Sequence, residues 1–301
     1  MQVYFFLDVC LILVAAVSCA PVKRSATFDH GVVRGHVTSH SITEASGLCA
    51  SRQHHNVLYT HNDSGDTNRI FAISATTGQR LMTIYVDGAS AHDWEDIACG
   101  PCTGGSGHCI YIADTGGNAG GDSNTIYRVH EPTQDLNNGN GGEMHTHVDS
   151  VLKFSWDQHD CETVMVDNKG EVYLVSKVGA GHHAKLVHLP SHAWGTNQRE
   201  YVNEGVYLSV TSRSYNPVGG DISPDGTEVL LKAYGHVYYW HVPDRNYYSH
   251  MTSYPAELSY TPEQQGEAVA WEPSGAGFYT LSEGTNAALY YHRRTSTDIV
   301  G

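Results

Sequence analysis

Long apolar runs, basic residues and helical periodicity are all scarce in this 301-residue chain, and each scarcity narrows the reading. Beyond the first twenty residues no segment is long and apolar enough to cross a bilayer. Only 17 Lys and Arg stand against 32 Asp and Glu, for a net charge of −15, which argues against nucleic acid or an anionic membrane as partner. No stretch carries a convincing 3.6-residue apolar period, so a helical bundle is excluded. A Gly-x-Ser-x-Gly elbow, a Walker loop and a dinucleotide fingerprint are all missing. The 20 histidines include His54-His55, His182-His183 and His145-Thr146-His147, but no pair has helical ligand spacing with a third ligand evident.

Met1 to Ala20 reads as a secretory signal peptide: a short apolar run ending in Ser18-Cys19-Ala20, interrupted by Asp8 and lacking a basic start. The expected product is a secreted, extracellular monomer with no membrane span. Residues 21–29 read as an exposed tether containing the dibasic pair Lys23-Arg24, and 30–301 as the folded domain. Of seven cysteines, Cys49, Cys99, Cys102, Cys109 and Cys161 follow the signal. Outside the cell they should be partly paired, with at least one left over. Cys99-Gly100-Pro101-Cys102 spells a redox motif but sits in the turn of an expected hairpin. Structural bridges within the Cys99, Cys102 and Cys109 group are the better reading.

Five lead-ins share one frame: Ser46-Gly47-Leu48, Glu95-Asp96-Ile97, Glu162-Thr163-Val164, Gly220-Asp221-Ile222 and Glu267-Ala268-Val269. Their spacings are 49, 67, 58 and 47 residues. Each is followed by a polar turn, a second strand such as Ile110-Tyr111-Ile112, and a third such as Thr125-Ile126-Tyr127-Arg128-Val129. Repeats of this length, rich in Val, Ile, Tyr and Thr, predict an all-β fold: a single β-propeller of five four-stranded blades. Six is the alternative count, because the longest interval holds the Asn137–Gly142 segment, taken here as a long loop. The fifth unit lacks an outer strand, and the isolated strand His30–Thr38 is expected to supply it and close the ring.

In a four-stranded meander, the loop entering the innermost strand and the loop between strands two and three emerge on one face. That brings Glu44, Asp93, Glu95, Asp96, Asp160, Glu162, Asp221 and Glu267 together with His61-Asn62-Asp63, Asp114, Ser176-Lys177, Lys232 and Glu283 around one mouth. Like charges so close raise one another's pKa or demand a cation. Oxygen-only donors suit Ca²⁺, or another divalent ion. Asn62, Asp63, Asp93, Asp96, Asp114 and Glu267 are the candidate metal ligands. Glu95 and Glu162 are candidate general bases, and His61, Lys177, Arg213 and Lys232 candidate substrate-binding groups. The alternatives are turn-capping carboxylates and ordinary ion pairs for Lys177 and Lys232. Asn62-Asp63-Ser64 is a glycosylation sequon, expected to serve the site instead. Gly116–Asp122 echoes one repeat of a calcium β-roll.

The motifs Ala45-Ser46-Gly47-Leu48, Thr60-His61-Asn62-Asp63-Ser64-Gly65, Asp93-Trp94-Glu95-Asp96-Ile97-Ala98 and Ile112-Ala113-Asp114-Thr115-Gly116-Gly117-Asn118 resemble those of a family of secreted propeller proteins abundant in actinobacteria. So do Asp221-Ile222-Ser223-Pro224-Asp225-Gly226 and Gly266-Glu267-Ala268-Val269-Ala270. More distantly the chain is similar to phytase-like and esterase-like propeller domains. That resemblance implies a calcium-filled acidic mouth, matched here by Asp63, Asp93, Glu95, Asp96 and Glu162, with basic residues holding phosphate. The expected function is therefore a calcium-binding secreted propeller. It either hydrolyses small phosphate or carboxylate esters or, as the alternative, binds an extracellular matrix component, mineral or small ligand without catalysis.

Overall fold

The computed structural model describes Met1, residues 23–117 and residues 124–300. The expected signal peptide and most of the β-roll echo lie outside the described residues. Two strands, β1 (Lys23–Phe28) and β2 (Val32–Val37), precede the repeats. Blade 1 follows as β3 (Ala45–Ala50), β4 (Val57–Asn62), β5 (Arg69–Ser74) and β6 (Arg80–Asp87). Blade 2 is β7 (Trp94–Pro101), β8 (His108–Asp114) and β9 (Asn124–His130); then β10 (Gly142–His147) intervenes before β11 (Ser150–Ser155) completes it. Blade 3 is β12 (Val164–Val166), β13 (Val172–Val175) and β14 (His183–Leu189), followed by β15 (Arg199–Tyr201) and its outer strand β16 (Gly205–Thr211). Blade 4 is β17 (Gly219–Ile222), β18 (Glu228–Ala233), β19 (His236–His241) and, after helix α1 (Tyr247–Met251), the two-residue β20 (Ala256–Glu257). Blade 5 is β21 (Gly266–Trp271), β22 (Gly277–Ser282) and β23 (Ala287–Val300).

The innermost strands close a ring: β3 lies against β7, β7 against β12, β12 against β17, β17 against β21 and β21 against β3. Five blades is therefore the count. β2 pairs antiparallel with β23, Val32 opposite Tyr291 and Val37 opposite Ala287, so the N-terminal strand completes the last blade as expected. The tether reading of 21–29 is corrected: β1 pairs with the far half of β23, and Ala26 and Phe28 are buried. Phe28 is drawn in by an aromatic nest, its ring 5.1 Å from Phe278 and 5.9 Å from Trp271. Blades 1 and 2 also carry a fifth strand, β10 parallel to β6 and β15 parallel to β11. Residues 137–141 are loop as expected, and Gly142 opens β10, which the loop delivers to an open edge.

One apolar cluster fills each blade interface. Inner and second strands such as β21 and β22 are buried on both faces, which explains why their sequences lack strict alternation. Edge strand β10 alternates half-buried and exposed. Fully buried Tyr59, Tyr111, Tyr239, Phe71, Phe154 and Trp271 each contribute about 1.5–3 kcal/mol of burial or more. The bridge Cys49–Cys99 ties innermost strands β3 and β7 together, and Cys102–Cys109 closes the β7–β8 hairpin. The second lies within the expected cysteine group and the first reaches outside it. The paired-motif cysteines Cys99 and Cys102 take different partners, so no redox pair exists. Cys161 is the one left over, buried. Two disulfides fit an oxidising environment, and among the described residues no helix is long and apolar enough to cross a membrane.

Candidate functional site at the propeller mouth

Every lead-in enters its innermost strand from the same face, and there the acidic side chains meet. Asp63, Asp93 and Glu95 form one triad whose donor oxygens all lie within 4.8 Å of one another, and Glu95, Asp160 and Glu162 form a second. Glu95 belongs to both. Glu267 and Glu283 adjoin them: each feels the other and Asp63, and Glu267 also faces Lys177. Tyr234 donates its hydroxyl proton to Glu267, and Lys177 is ion-paired with Glu162.

Local backbone explains the aim. The β7–β8 register shifts between Trp94 and Asp96, so Glu95 rides a bulge. The β21–β22 register shifts between Gly266 and Ala268, placing Glu267 on another. Bulges re-aim one side chain out of the alternating pattern, here toward the axis. Glu162 needs none, because β12 begins only at Val164. Asp93 is held by its backbone: its N–H donates to Asp114 Oδ1 (2.8 Å), and its carbonyl accepts from Thr115 and Gly116 (both 3.2 Å).

Burial dominates the electrostatics. It pushes the Glu95 carboxyl far above the usual carboxylate range, reinforced by Glu162, Asp63, Asp93 and Asp160. Burial likewise raises Glu162, against the pull of Lys177, and raises Asp63, Asp160, Glu267 and Glu283. Glu95 Oε1 and Glu162 Oε2 are buried without a hydrogen-bond partner among the described residues. Orphaned carboxylate oxygens this deep are costly unless something positive completes them. The space is also kept open by backbone: a Cβ at Gly116 would fall on Glu95 Oε1 and the Asp93 carboxyl, well inside the 3.0 Å that real Cβ atoms respect. Oxygen-only donors, orphaned atoms and a cradle that glycine keeps clear all fit a hard divalent cation.

Six expected site residues converge here: Asp63, Asp93, Glu95, Glu162, Lys177 and Glu267. The other six do not, and each has a physical reason. Asn62 accepts from Thr43 N (3.0 Å) and Glu44 N (3.2 Å) and donates to Ser41 O (2.8 Å) and Asp66 Oδ2 (2.6 Å). Its amide is spent clamping the chain into β3, and this buried sequon residue is no sugar acceptor in the folded protein. Asp96 turns away from the mouth and accepts from Val164 N (2.9 Å) of blade 3. Asp114 supports Asp93 from behind. His61 is fully buried against Trp94, held neutral by burial with its pKa down to about 4. Lys232 is sealed between blades 4 and 5, near Glu263 (3.9 Å) and over the Tyr260 ring (4.5 Å). Arg213 sits on the outer rim with Glu257 (3.5 Å) and His236, lining a crevice with Leu208, Pro217 and Tyr238.

Sequence reasoning left Asp160 and Glu283 among the mouth loops without a role, and missed Tyr234 and Gly116. Asp160 and Glu283 were visible from loop position alone. Tyr234 occupies the Tyr234-Gly235 turn between β18 and β19, where a polar tip on a mouth loop was the available signal.

Fold and site together define an all-β, five-bladed propeller with an acidic, cation-competent mouth. A solved structure similar to this chain is the glutaminyl cyclase of Myxococcus xanthus, at TM-score 0.51 and 9% identity over 92% of this chain and 100% of that one. At that identity the likeness is one of fold. No family model matches the sequence, and no curated protein matches it.

Proposed function

We propose that this is an extracellular divalent-cation-binding propeller, and that calcium is its ion. The observation that carries the reading is Glu95: a buried carboxylate, common to two oxygen triads, with one oxygen unpartnered. The absence of His or Cys from both triads favours a hard ion over zinc, and flexible carboxylate oxygens favour calcium over magnesium. Asp63, Asp93 and Glu95, with Asp160 and Glu162, would hold it. Secretion is supported by the two disulfides and by the apolar leader. Calorimetric titration of EDTA-stripped protein with CaCl₂ tests the reading. Micromolar to millimolar binding that raises the melting temperature is expected, and no heat with no shift would remove it.

A second reading, hydrolysis of a small phosphate or carboxylate ester, is favoured by Lys177 standing inside the acidic cluster. A bound cation supplies Lewis-acid polarisation of an ester oxygen. Lys177 would hold the anionic oxygen beside it. Glu162, raised toward neutral by burial, has the proton affinity a general base needs. A panel of chromogenic esters, with and without calcium, separates the two: metal-dependent turnover lost in Glu95→Gln supports the enzyme. A silent panel with intact calcium binding leaves a binding protein for matrix, mineral or a small ligand. A glutaminyl peptide belongs in the same panel, given the neighbour's activity.

A further inference from the structure

We propose that Lys177 is a built-in cation for the Glu95–Asp160–Glu162 triad, so that the mouth takes one divalent ion, at Asp63–Asp93–Glu95, rather than two. The inference rests on the cation reading of the mouth. Judged by donor oxygens alone the triads are equal: each offers three carboxylates within 4.8 Å and they share Glu95. Their surroundings differ. Lys177 Nζ is ion-paired directly with Glu162 Oε1, and the charges of Asp160 and Glu95, the other two members of the second triad, bear on it. Asp63 and Glu267 also feel the ammonium, but neither is ion-paired with it.

Backbone and packing hold the lysine there. Its N–H donates to Asp160 O (2.9 Å), so the loop that supplies Asp160 also anchors the residue carrying the ammonium. The side chain is 13% exposed, and the exposed Tyr215 ring lies 5.8 Å from Nζ on its outer side. An ion entering this triad would have to displace a half-enclosed ammonium and then sit beside the first ion across one shared carboxylate. Like charges a few ångströms apart in a poorly solvated site repel strongly. Asp63 and Glu95 feel Lys177 only at longer range, without an ion pair to any lysine or arginine among the described residues, and Glu95 Oε1 is unpartnered. Glycine at 116 keeps the space over Glu95 and Asp93 clear.

The test is stoichiometry. Calcium is titrated into the EDTA-stripped full chain, into Lys177→Met and into Lys177→Arg. One ion per chain is expected for wild type and Lys177→Arg, and two for Lys177→Met. Two ions in wild type, or one in Lys177→Met, overturn the inference while calcium binding itself stands. No binding by wild type at millimolar calcium removes the cation reading and this inference with it. Should Lys177→Met fail to fold, wild-type crystals soaked in terbium decide the matter. One anomalous peak among Asp63, Asp93 and Glu95 supports the proposal, and a second among Glu95, Asp160 and Glu162 overturns it.

Discussion

Gly116→Ala isolates the mouth geometry from its charge, because it adds one methyl group and removes no carboxylate. The new Cβ would overlap Glu95 Oε1 and the Asp93 carboxyl by on the order of 1 Å, so one or both must leave the triad. No left-handed backbone is involved at this glycine, so the effect is steric rather than conformational. An ion that keeps two of three carboxylates should bind about 100-fold more weakly, since charge count sets affinity at such sites. The consequence is readable as stability. At calcium 100 times the wild-type Kd, wild type gains about 2.7 kcal/mol, whereas the variant, then near its own Kd, gains about 0.4 kcal/mol. Overpacking costs the apo protein a further ~1–3 kcal/mol.

Gly117→Ala is the control. Its Cβ would sit 3.3 Å from His159 O, a tight contact that a shift of a few tenths of an ångström relieves, and at an ordinary 3.5 Å from Asp160 Cγ. Calorimetry and thermal melts with and without calcium should therefore show near-normal affinity for Gly117→Ala and a lost calcium shift for Gly116→Ala. Wild-type affinity in Gly116→Ala would refute the placement of the ion. Equal losses in both variants would mean that the loop, not the cradle, had been disturbed.

Asp221 supplies a pH prediction. Burial raises its carboxyl from 3.8 to about 6, so the folded state binds the extra proton. Its stabilising contribution is complete below pH ~4 and is lost as pH rises through ~6, about 3 kcal/mol in all. Asp221→Asn keeps an acceptor for Trp271 N and should remove a fall of that size from urea-melt stability between pH 4 and 6.5; an unchanged profile would exclude the assignment. At the blade 4–5 seam, Glu263→Gln leaves the buried Lys232 charge uncompensated and should cost about 3–5 kcal/mol by urea denaturation. Lys232→Met combined with Glu263→Gln should recover most of that loss. Removing Cys49–Cys99, which spans 50 residues, should cost about 4 kcal/mol, against about 2 kcal/mol for Cys102–Cys109, which spans 7; equal costs in denaturant melts would contradict the loop-length account.

The five lead-ins and the closing strand were legible because each blade repeats one frame and an unpaired outer edge demands a partner. Which of two adjacent carboxylates faces the mouth was not. Glu95 and Asp96 are chemically alike in sequence, and only the bulge at Glu95 separates a mouth ligand from a residue bonded to Val164 N. Asn62 misled because its site-like motif is answered by four local backbone and side-chain bonds. Lys232 misled because a strand-end lysine reads as exposed, while here it folds under Tyr260 toward Gly266 O. The edge strands β10 and β15 carry little apolar pattern, since one face stays in water.

The unequal decoration of five equivalent positions explains how a near-symmetric ring makes one site. Two residues before each lead-in's apolar anchor stand Ser46, Glu95, Glu162, Gly220 and Glu267. Blades 1, 2 and 5 place a bulge at that position, and blade 3 places it before the strand; in blades 2, 3 and 5 the residue there is a glutamate that reaches the axis. Blade 4 runs through it in unbroken register, and a Cβ on Gly220 would stand 2.9 Å from Thr163 Cγ2 and 3.0 Å from Leu230 O, leaving no room for a carboxylate. Blade 1 turns Ser46 sideways, its hydroxyl donating to Glu95 O (2.6 Å) and so fixing the backbone of the shared ligand. The next residue along does the opposite job: Asp96 and Asp221 accept backbone N–H groups of the following blade. Alternation along a strand thus divides consecutive side chains between holding the ring together and facing its opening. A bulge or an unpaired position opens the way to the axis and the residue standing there decides whether a carboxylate arrives, so the lead-in glutamates come from blades 2, 3 and 5, while blade 1 contributes Asp63 from the loop after its second strand.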